Sequence, residues 1–241
     1  MSDLTHSKKM AIQSPLTRAC FHLLALCGVS SGFYWMHLDG TLSWTIISVM
    51  FTLWTAVVLI AYFLGSFIQD LVMGDGSSMT EEKNLSVLKR LYNNLISDGF
   101  HLAFVMSVAT VGIFWTLYTL NPENMVPKTM HYPAALNHIH HTLPLVVAVV
   151  EFMVRTRAEL LNGFWTRKLF LICAIPVAYL AFTAYVKYSR GNWPYPFMAS
   201  WSFVEFSTFF GFAQALAVVL HYLVYLCIKN LKGENNVKKI A

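Results

Sequence analysis

The chain has 241 residues, of which 56% are hydrophobic and only 12% are charged. A soluble domain is about half apolar and about a quarter charged, so this composition argues against a soluble protein and indicates one that lies in a membrane. The net charge of +5 is explained better by membrane orientation than by nucleic-acid binding, because the basic residues are distributed unevenly between the two sides of the predicted bundle.

Helices cross a bilayer as apolar runs of about 20 residues, and the sequence contains six such runs. We therefore predict an all-α, polytopic membrane protein in which six transmembrane helices form a single bundle. The prediction gives one integral-membrane domain over residues 1–241, with short cytosolic tails at about 1–18 and 229–241. The predicted spans, numbered 1 to 6, run roughly over 19–38, 42–68, 95–119, 135–154, 168–187 and 203–228.

Lysine and arginine are concentrated on one side of this bundle. Both tails and the connections between spans 2 and 3 and between spans 4 and 5 carry most of them, whereas the other three connections carry only Lys128, Lys187 and Arg190. The positive-inside rule therefore predicts that both termini face the cytosol. The last residues, KKIA at 238–241, resemble a di-lysine retrieval signal, which favours the endoplasmic reticulum over the plasma membrane as the location.

The non-cytosolic start of span 2 carries hydroxyl side chains at helical spacing. Thr45, Ser48, Thr52, Thr55 and Ala56 share one face if the span is a continuous helix. Threonine and serine in such helices often bond the carbonyl four residues earlier. The stripe alone therefore does not identify a nucleophile.

Span 4 begins with three histidines, in "LNHIHHTLP" at 136–144. At about 100° per residue, Asn137 and His141 share a face, His138 lies at the edge of that face, and His140 points about 100° away from His141. An ionisable residue inside a span is a functional hypothesis when it faces the protein interior. Helical phase therefore groups His141 with Asn137 and leaves His140 as a residue of the polar rim.

The predicted topology also sets the depth of each polar group. Spans 2, 4 and 6 enter from the non-cytosolic side, so Thr45, His141 and Glu205 lie within about two helical turns of that face. Three other ionisable residues are predicted near the opposite face, where they serve as polar helix ends or helix-to-helix hydrogen bonds: Asp98, Glu151 and His221.

Three interpretations of the histidines stay open on the residues alone. A metal-dependent lipid-modifying enzyme would use His138, His140 and His141, since histidines three apart on a helix can share a metal; the other histidines, however, are scattered singly. In the second interpretation, a neutral imidazole activates a weak hydroxyl nucleophile at the same depth, such as Thr45. The third is a polar rim at headgroup level on a non-enzymatic membrane scaffold.

Three stretches resemble the androgen-induced protein and androgen-dependent TFPI-regulating protein family. They are "FWTLYTLNPENMVPK" (114–128), "ALNHIHHTLP" (135–144) and "GNWPYPF" (191–197). The first is similar to the family's Phe-Trp and Tyr-Pro-Lys elements, the second to its Leu-Asn-His-x-x-His-Thr element, and the third to its Gly-x-Trp-x-Tyr-Pro-Phe element. Their order and spacing agree, and the resemblance covers roughly residues 40–228.

The resemblance implies a multi-pass membrane hydrolase that cleaves fatty acid esters of hydroxy fatty acids. It implies a threonine nucleophile that forms an acyl-threonine intermediate, and a histidine partner, which corresponds to His141. The best match to the threonine is Thr45 in "LSWTIISVMF", although Trp44 directly precedes it here and the family's lysine is missing. Thr41 and Ser43 are the fallbacks.

The groups that assist the pair are not visible in a motif. Asn137, one turn before His141, is the first candidate to bind the oxyanion or to orient the imidazole, and His138 is the second. The resemblance implies no metal and no organic cofactor. The implied partners are the lipid substrate and the bilayer, with no nucleic acid.

Overall fold

The computed structural model describes residues 14–39, 50–73, 87–125, 133–162 and 165–231. Within these ranges the chain forms helices and no strand, which confirms the all-α prediction. The helices are α1 (Pro15–Asp39), α2 (Phe51–Met73), α3 (Val87–Leu120), α4 (Ala134–His141), α5 (Leu143–Val154), α6 (Arg157–Leu161), α7 (Trp165–Arg190) and α8 (Phe203–Leu231), with 3-10 turns at Pro122–Asn124 and Pro196–Met198.

Five of the described helices, α1, α2, α3, α7 and α8, are long and apolar enough to cross a membrane. Predicted span 4 corresponds to two shorter helices, α4 and α5, and only α5 is strongly apolar over its length. The structure therefore supports a bundle of membrane helices, while the number of six spans and the cytosolic position of both termini stay predictions.

The interruption of span 4 lies at Thr142, where the backbone leaves helical geometry with φ −130° and ψ −49°. Pro144 has no N–H to donate to the carbonyl of His140, which is the bond a continuous helix would form. The amide of Leu145 donates to the carbonyl of Thr142 at 3.2 Å instead of that of His141. The carbonyl of His141 is thus released from the helical ladder and available to another donor.

The predicted start of span 2 at about residue 42 lies outside the described residues, which begin again at Met50. Met50 is not helical, and the amides of Leu53 and Trp54 both donate to its carbonyl, as in the first turn of a helix that begins at Phe51. The predicted helix is therefore not continuous at Met50, while Thr45 and Ser48 of the predicted stripe lie outside the described residues.

Six charged side chains form a network in the protein interior where α1, α2, α5 and α6 meet. The imidazole of His22 lies between two carboxylates, with Nδ1 2.7 Å from Asp70 Oδ2 and Nε2 2.9 Å from Glu151 Oε2. Both nitrogens lie within ion-pair distance of a carboxylate oxygen, an arrangement that favours the imidazolium form. With His22 in that form the network has three cations and three anions and is neutral: Arg18, His22, Arg155, Asp70, Glu151 and Glu159.

Glu151 is the centre of this network and is fully buried. Besides His22, its carboxylate accepts from the Tyr62 hydroxyl at 2.5 Å and from Arg155 Nε at 2.7 Å. Burial raises the pKa of Glu159 at the edge of the network, but the charges of Arg155 and Arg18 and the amide of Thr156 outweigh burial, so the pKa is lowered overall. The network joins the helices at the end of the bundle away from the three histidines.

Candidate functional site

His141 ends α4 with its imidazole buried between helices. Its ring stacks on Phe114 of α3, with the ring centroids 3.4 Å apart and the planes within 1° of parallel. Only 8% of the residue is exposed. The stacking fixes the plane of the imidazole, so its ring nitrogens point in set directions along that plane.

The backbone of His141 is held by the next residue of α3. Trp115 Nε1 donates to the His141 carbonyl at 2.7 Å and lies 3.3 Å from Thr142 Oγ1. This carbonyl is the one released by the break in span 4, so the indole supplies the donor that the helix does not. Phe114 and Trp115 together fix both the ring and the backbone of His141.

A threonine hydroxyl faces this imidazole from the first turn of α2. Thr52 Oγ1 lies 3.5 Å from His141 Nδ1, and both residues are buried. The distance is long for a hydrogen bond, but catalytic hydrogen bonds are often loose before substrate binds. Thr55, one turn further, bonds the Phe51 carbonyl and the Thr110 hydroxyl, at 3.2 and 2.7 Å, so its hydroxyl has a structural role.

A cavity opens beside Thr52 and contains about 820 Å³ of space free of atoms, including its open mouth. Ligand sites typically have mostly apolar walls. The walls here are apolar and aromatic side chains of α2, α3, α7 and α8, and α3 lines the cavity from Phe114 to Leu102, about 18 Å at the rise of an α-helix. The side chains in the wall that carry a polar group are Thr52, Thr110, Tyr179, Tyr195 and Gln214.

Gln214 bridges the two helices on the far wall of the cavity. Pro176 lies inside α7 and has no N–H for the carbonyl of Ile172, four residues earlier. Gln214 Nε2 of α8 lies 3.3 Å from that carbonyl. The amide thus stabilises a helix that the proline would otherwise leave with an unpaired carbonyl.

The other two histidines of the cluster do not share the environment of His141. His138 is exposed, with Nδ1 3.1 Å from Thr142 Oγ1 one turn along. His140 is 3% exposed, and its Nε2 packs so closely on Gly32 of α1 that a side chain at that position would collide with the imidazole. The prediction that His140 belongs to a polar rim is therefore wrong, because the close approach of α1 buries it.

Asn137, the other predicted supporting residue, is buried, with 7% exposed. Its Oδ1 has no hydrogen-bond partner among the described residues. The three histidines point into different surroundings, and the described part of the chain has no group of three His, Cys, Asp or Glu side chains arranged to hold a metal ion. This geometry does not favour the metal-dependent interpretation.

The remaining predicted residues divide into three groups. Thr45 and its fallbacks Thr41 and Ser43 lie outside the described residues. Glu205 is exposed and caps its own helix, accepting from the amide and hydroxyl of Ser202 at 2.7 and 2.9 Å. The groups predicted at the opposite face have partners of their own: Glu151 lies in the charged network, Asp98 pairs with Arg167, and His221 stacks on Trp165 at 4.2 Å.

Comparison with known proteins shows to which family the chain belongs. The profile of the FAR-17a/AIG1-like protein family matches residues 17–233. The chain belongs to this family. It is 26% identical to human androgen-dependent TFPI-regulating protein over 51% of its length and 53% of that relative, and 28% identical to human androgen-induced gene 1 protein over 70% and 72%. Identity to the androgen-dependent TFPI-regulating protein of Mesocricetus auratus is 30%, over 52% of each chain.

The alignments with the androgen-dependent TFPI-regulating proteins thus span about half the length of those relatives. No solved structure matches the chain. The membrane-length helices and the FAR-17a/AIG1-like family together indicate an integral membrane protein.

The structure gives physical roles to residues of this family member that the sequence left without one. Phe114 and Trp115 belong to a stretch that carries the family resemblance, and they hold His141. Thr52 is one of the hydroxyl residues predicted to share a face of span 2, but its spacing does not distinguish it from Thr45 as a candidate nucleophile. Its burial against His141 depends on how α2, α3 and α4 pack, and the sequence does not encode this packing locally.

Proposed function

We propose that this chain is a membrane-embedded hydrolase of lipid esters, in which His141 is the general base. The proposal rests on the buried pair of His141 and Thr52, together with the long apolar cavity whose wall includes Thr52. A neutral imidazole can activate a hydroxyl near neutral pH, and apolar walls suit acyl chains. The family resemblance adds the substrate class, fatty acid esters of hydroxy fatty acids.

The proposed reaction has two steps. In the first, the hydroxyl gives its proton to His141 while its oxygen attacks the ester carbonyl; the ester C–O bond breaks, and the hydroxy fatty acid leaves with the proton from His141. The acyl group is then bonded to the protein. In the second step, His141 takes a proton from water, the water oxygen attacks the acyl carbonyl, and the fatty acid leaves as the proton returns to the side-chain oxygen.

Three hydroxyls are candidates for the nucleophile. The resemblance proposes Thr45, whereas the geometry supports Thr52, which faces His141. The resemblance also implies a Trp-Lys-aromatic-apolar lead before the family's threonine, and counting four positions on from Trp44 reaches Ser48. The fallbacks Thr41 and Ser43 precede Trp44 and do not fit this lead. Substitution can separate the three.

We expect one substitution among Thr45→Val, Ser48→Ala and Thr52→Val to reduce kcat by at least about 10²-fold, since general-base activation of the nucleophile supplies about 10² to 10⁴. The other two should change kcat by less than about tenfold. The measurement is release of hydroxy fatty acid by protein purified in detergent. Thr183→Val is the matched control, because Thr183 is fully buried and bonds only carbonyls of its own helix among the described residues. Full activity in all three variants would contradict a hydroxyl nucleophile in this segment.

We also propose that both termini face the cytosol and that the protein resides in the endoplasmic reticulum. The support is the excess of lysine and arginine on one side of the predicted bundle and the KKIA terminus. Asn84 lies in the glycosylation sequon NLS, on the side that this topology makes cytosolic. We expect Asn84 to stay unmodified in cells, and a glycosidase-sensitive glycan on it would overturn the topology.

A further inference from the structure

The connection between α7 and α8 contains the "GNWPYPF" stretch, to which the proposed mechanism assigns no role. It begins at Gly191, whose φ of +76° ends α7 in a left-handed conformation that favours glycine. The amide of Gly191 donates to the Lys187 carbonyl at 2.9 Å, and Lys187 Nζ donates to the Gly191 carbonyl at 2.8 Å. These contacts turn the chain sharply back toward the bundle.

The middle of the connection is anchored by Trp193. Its ring stacks on Phe206 of α8 with centroids 4.1 Å apart, and its Nε1 donates to the Trp201 carbonyl at 2.9 Å. Only 7% of Trp193 is exposed. The 3-10 turn that follows closes with the amide of Met198 donating to the Tyr195 carbonyl at 3.1 Å. Tyr195 is therefore held on both sides by fixed structure.

The hydroxyl of Tyr195 meets the first turn of α2. It accepts a hydrogen bond from the amide of Phe51 at 2.9 Å, one of the N–H groups that a helix start leaves without a helical partner. Thr52 and Tyr179 also lie close to this hydroxyl. Burial raises the pKa of Tyr195, so the phenol keeps its proton at neutral pH and can both accept and donate.

These contacts connect Tyr195 to the first turn of α2, which carries Thr52. Phe51 and Thr52 begin α2 directly after the non-helical Met50, so little else within the helix defines where its first turn lies. A shift of the first turn by about 1 Å, which can cost about 10²-fold in rate, would change the 3.5 Å approach of Thr52 to His141.

We propose that Tyr195 is a positioning residue, whose hydroxyl fixes the first turn of α2 and so holds the Thr52 hydroxyl against His141. This inference rests on the proposed hydrolase function. The inference also assigns a role to the prolines of the stretch. Pro194 and Pro196 restrict the backbone on either side of Tyr195.

The test is Tyr195→Phe, which keeps the ring and its packing near Phe197 and removes only the hydroxyl. We expect kcat to fall by at least about tenfold with KM changed less than about twofold, because the cavity walls stay the same while the reacting groups lose alignment. Tyr188→Phe is the matched control: it makes the same change at a residue that is 86% exposed, and it should leave both constants unchanged.

Hydrogen exchange of the amides at Phe51 and Thr52 gives a readout that does not depend on turnover. We expect faster exchange there in Tyr195→Phe and unchanged exchange in Tyr188→Phe. Unchanged exchange in Tyr195→Phe, or faster exchange with an unchanged kcat, would overturn the positioning role while leaving the hydrolase proposal intact. Absence of hydrolysis by the wild-type protein would instead overturn the proposed function, and with it a role for Tyr195 in that reaction.

Discussion

Replacing His141 with alanine is expected to reduce lipid ester hydrolysis by at least about 10²-fold, the lower end of what a general base contributes. The imidazole is fixed by stacking on Phe114, the backbone of His141 is held by the indole of Trp115, and Nδ1 of His141 lies 3.5 Å from the Thr52 hydroxyl. The measurement is the initial rate of fatty acid release by the purified protein.

Two control substitutions distinguish loss of the catalytic base from loss of the folded structure. His141→Phe preserves an aromatic ring against Phe114 and is expected to be as inactive as His141→Ala while retaining more thermal stability. His138→Ala removes the exposed histidine of the same helix and should keep most of the activity. Wild-type rates in both His141 variants would contradict the assignment of the base.

Replacing Glu151 with glutamine is expected to destabilise the protein by about 3–5 kcal/mol, the usual cost of removing one partner from a buried ion pair. The carboxylate accepts from His22, Tyr62 and Arg155, and a glutamine amide has only one acceptor oxygen and presents N–H donors to groups that also donate. The network would in addition carry one uncompensated positive charge in the protein interior. Thermal or denaturant unfolding in detergent measures the loss.

Glu205→Gln is the matched control for this stability prediction. Glu205 is exposed and bonds only its neighbour Ser202 among the described residues, so the same substitution there should have little effect. Glu151→Gln should also keep its activity per folded molecule, since Glu151 lies more than two turns from His141 along the chain. A Glu151 variant as stable as the Glu205 variant would mean that the network does not hold the helices together.

The sequence alone predicts part of the candidate site. Helical phase places His141 and His140 on different faces, and the family resemblance selects His141 as the histidine partner. The break at Thr142 also has a local cause in Pro144, two positions on. The burial of His140, however, depends on Gly32 of α1, which lies 108 positions earlier, and no periodicity within span 4 encodes that contact.

The position at which α2 begins depends on a contact with a residue far away in the sequence. Residues 45–56 form one apolar and hydroxyl-bearing run without proline or glycine, which predicts a continuous helix; residues 45–49 lie outside the described residues. In the described part, Met50 is not helical and α2 begins at Phe51, whose amide donates to the Tyr195 hydroxyl from 144 positions away. Long-range contacts of this kind select among local structures that the sequence alone allows.

In the charged network, too, some contacts follow from local sequence spacing and others do not. Glu151 and Arg155 are one helical turn apart, so their ion pair follows from spacing. The position of His22 between Asp70 and Glu151 does not, because the three residues come from three different helices. The predicted topology places Glu151 far from the three histidines. Its burial is explained only by the packing of α1 against α2 and α5.

Mapping the covalent adduct of a fluorophosphonate probe by peptide mass spectrometry on the purified protein tests directly whether His141 activates a hydroxyl nucleophile. We expect a single major adduct on a hydroxyl of residues 45–52. Added lipid ester should reduce this labelling, and His141→Ala should abolish it. Labelling elsewhere in the chain, or labelling of residues 45–52 that is unchanged in His141→Ala, would contradict a nucleophile activated by His141.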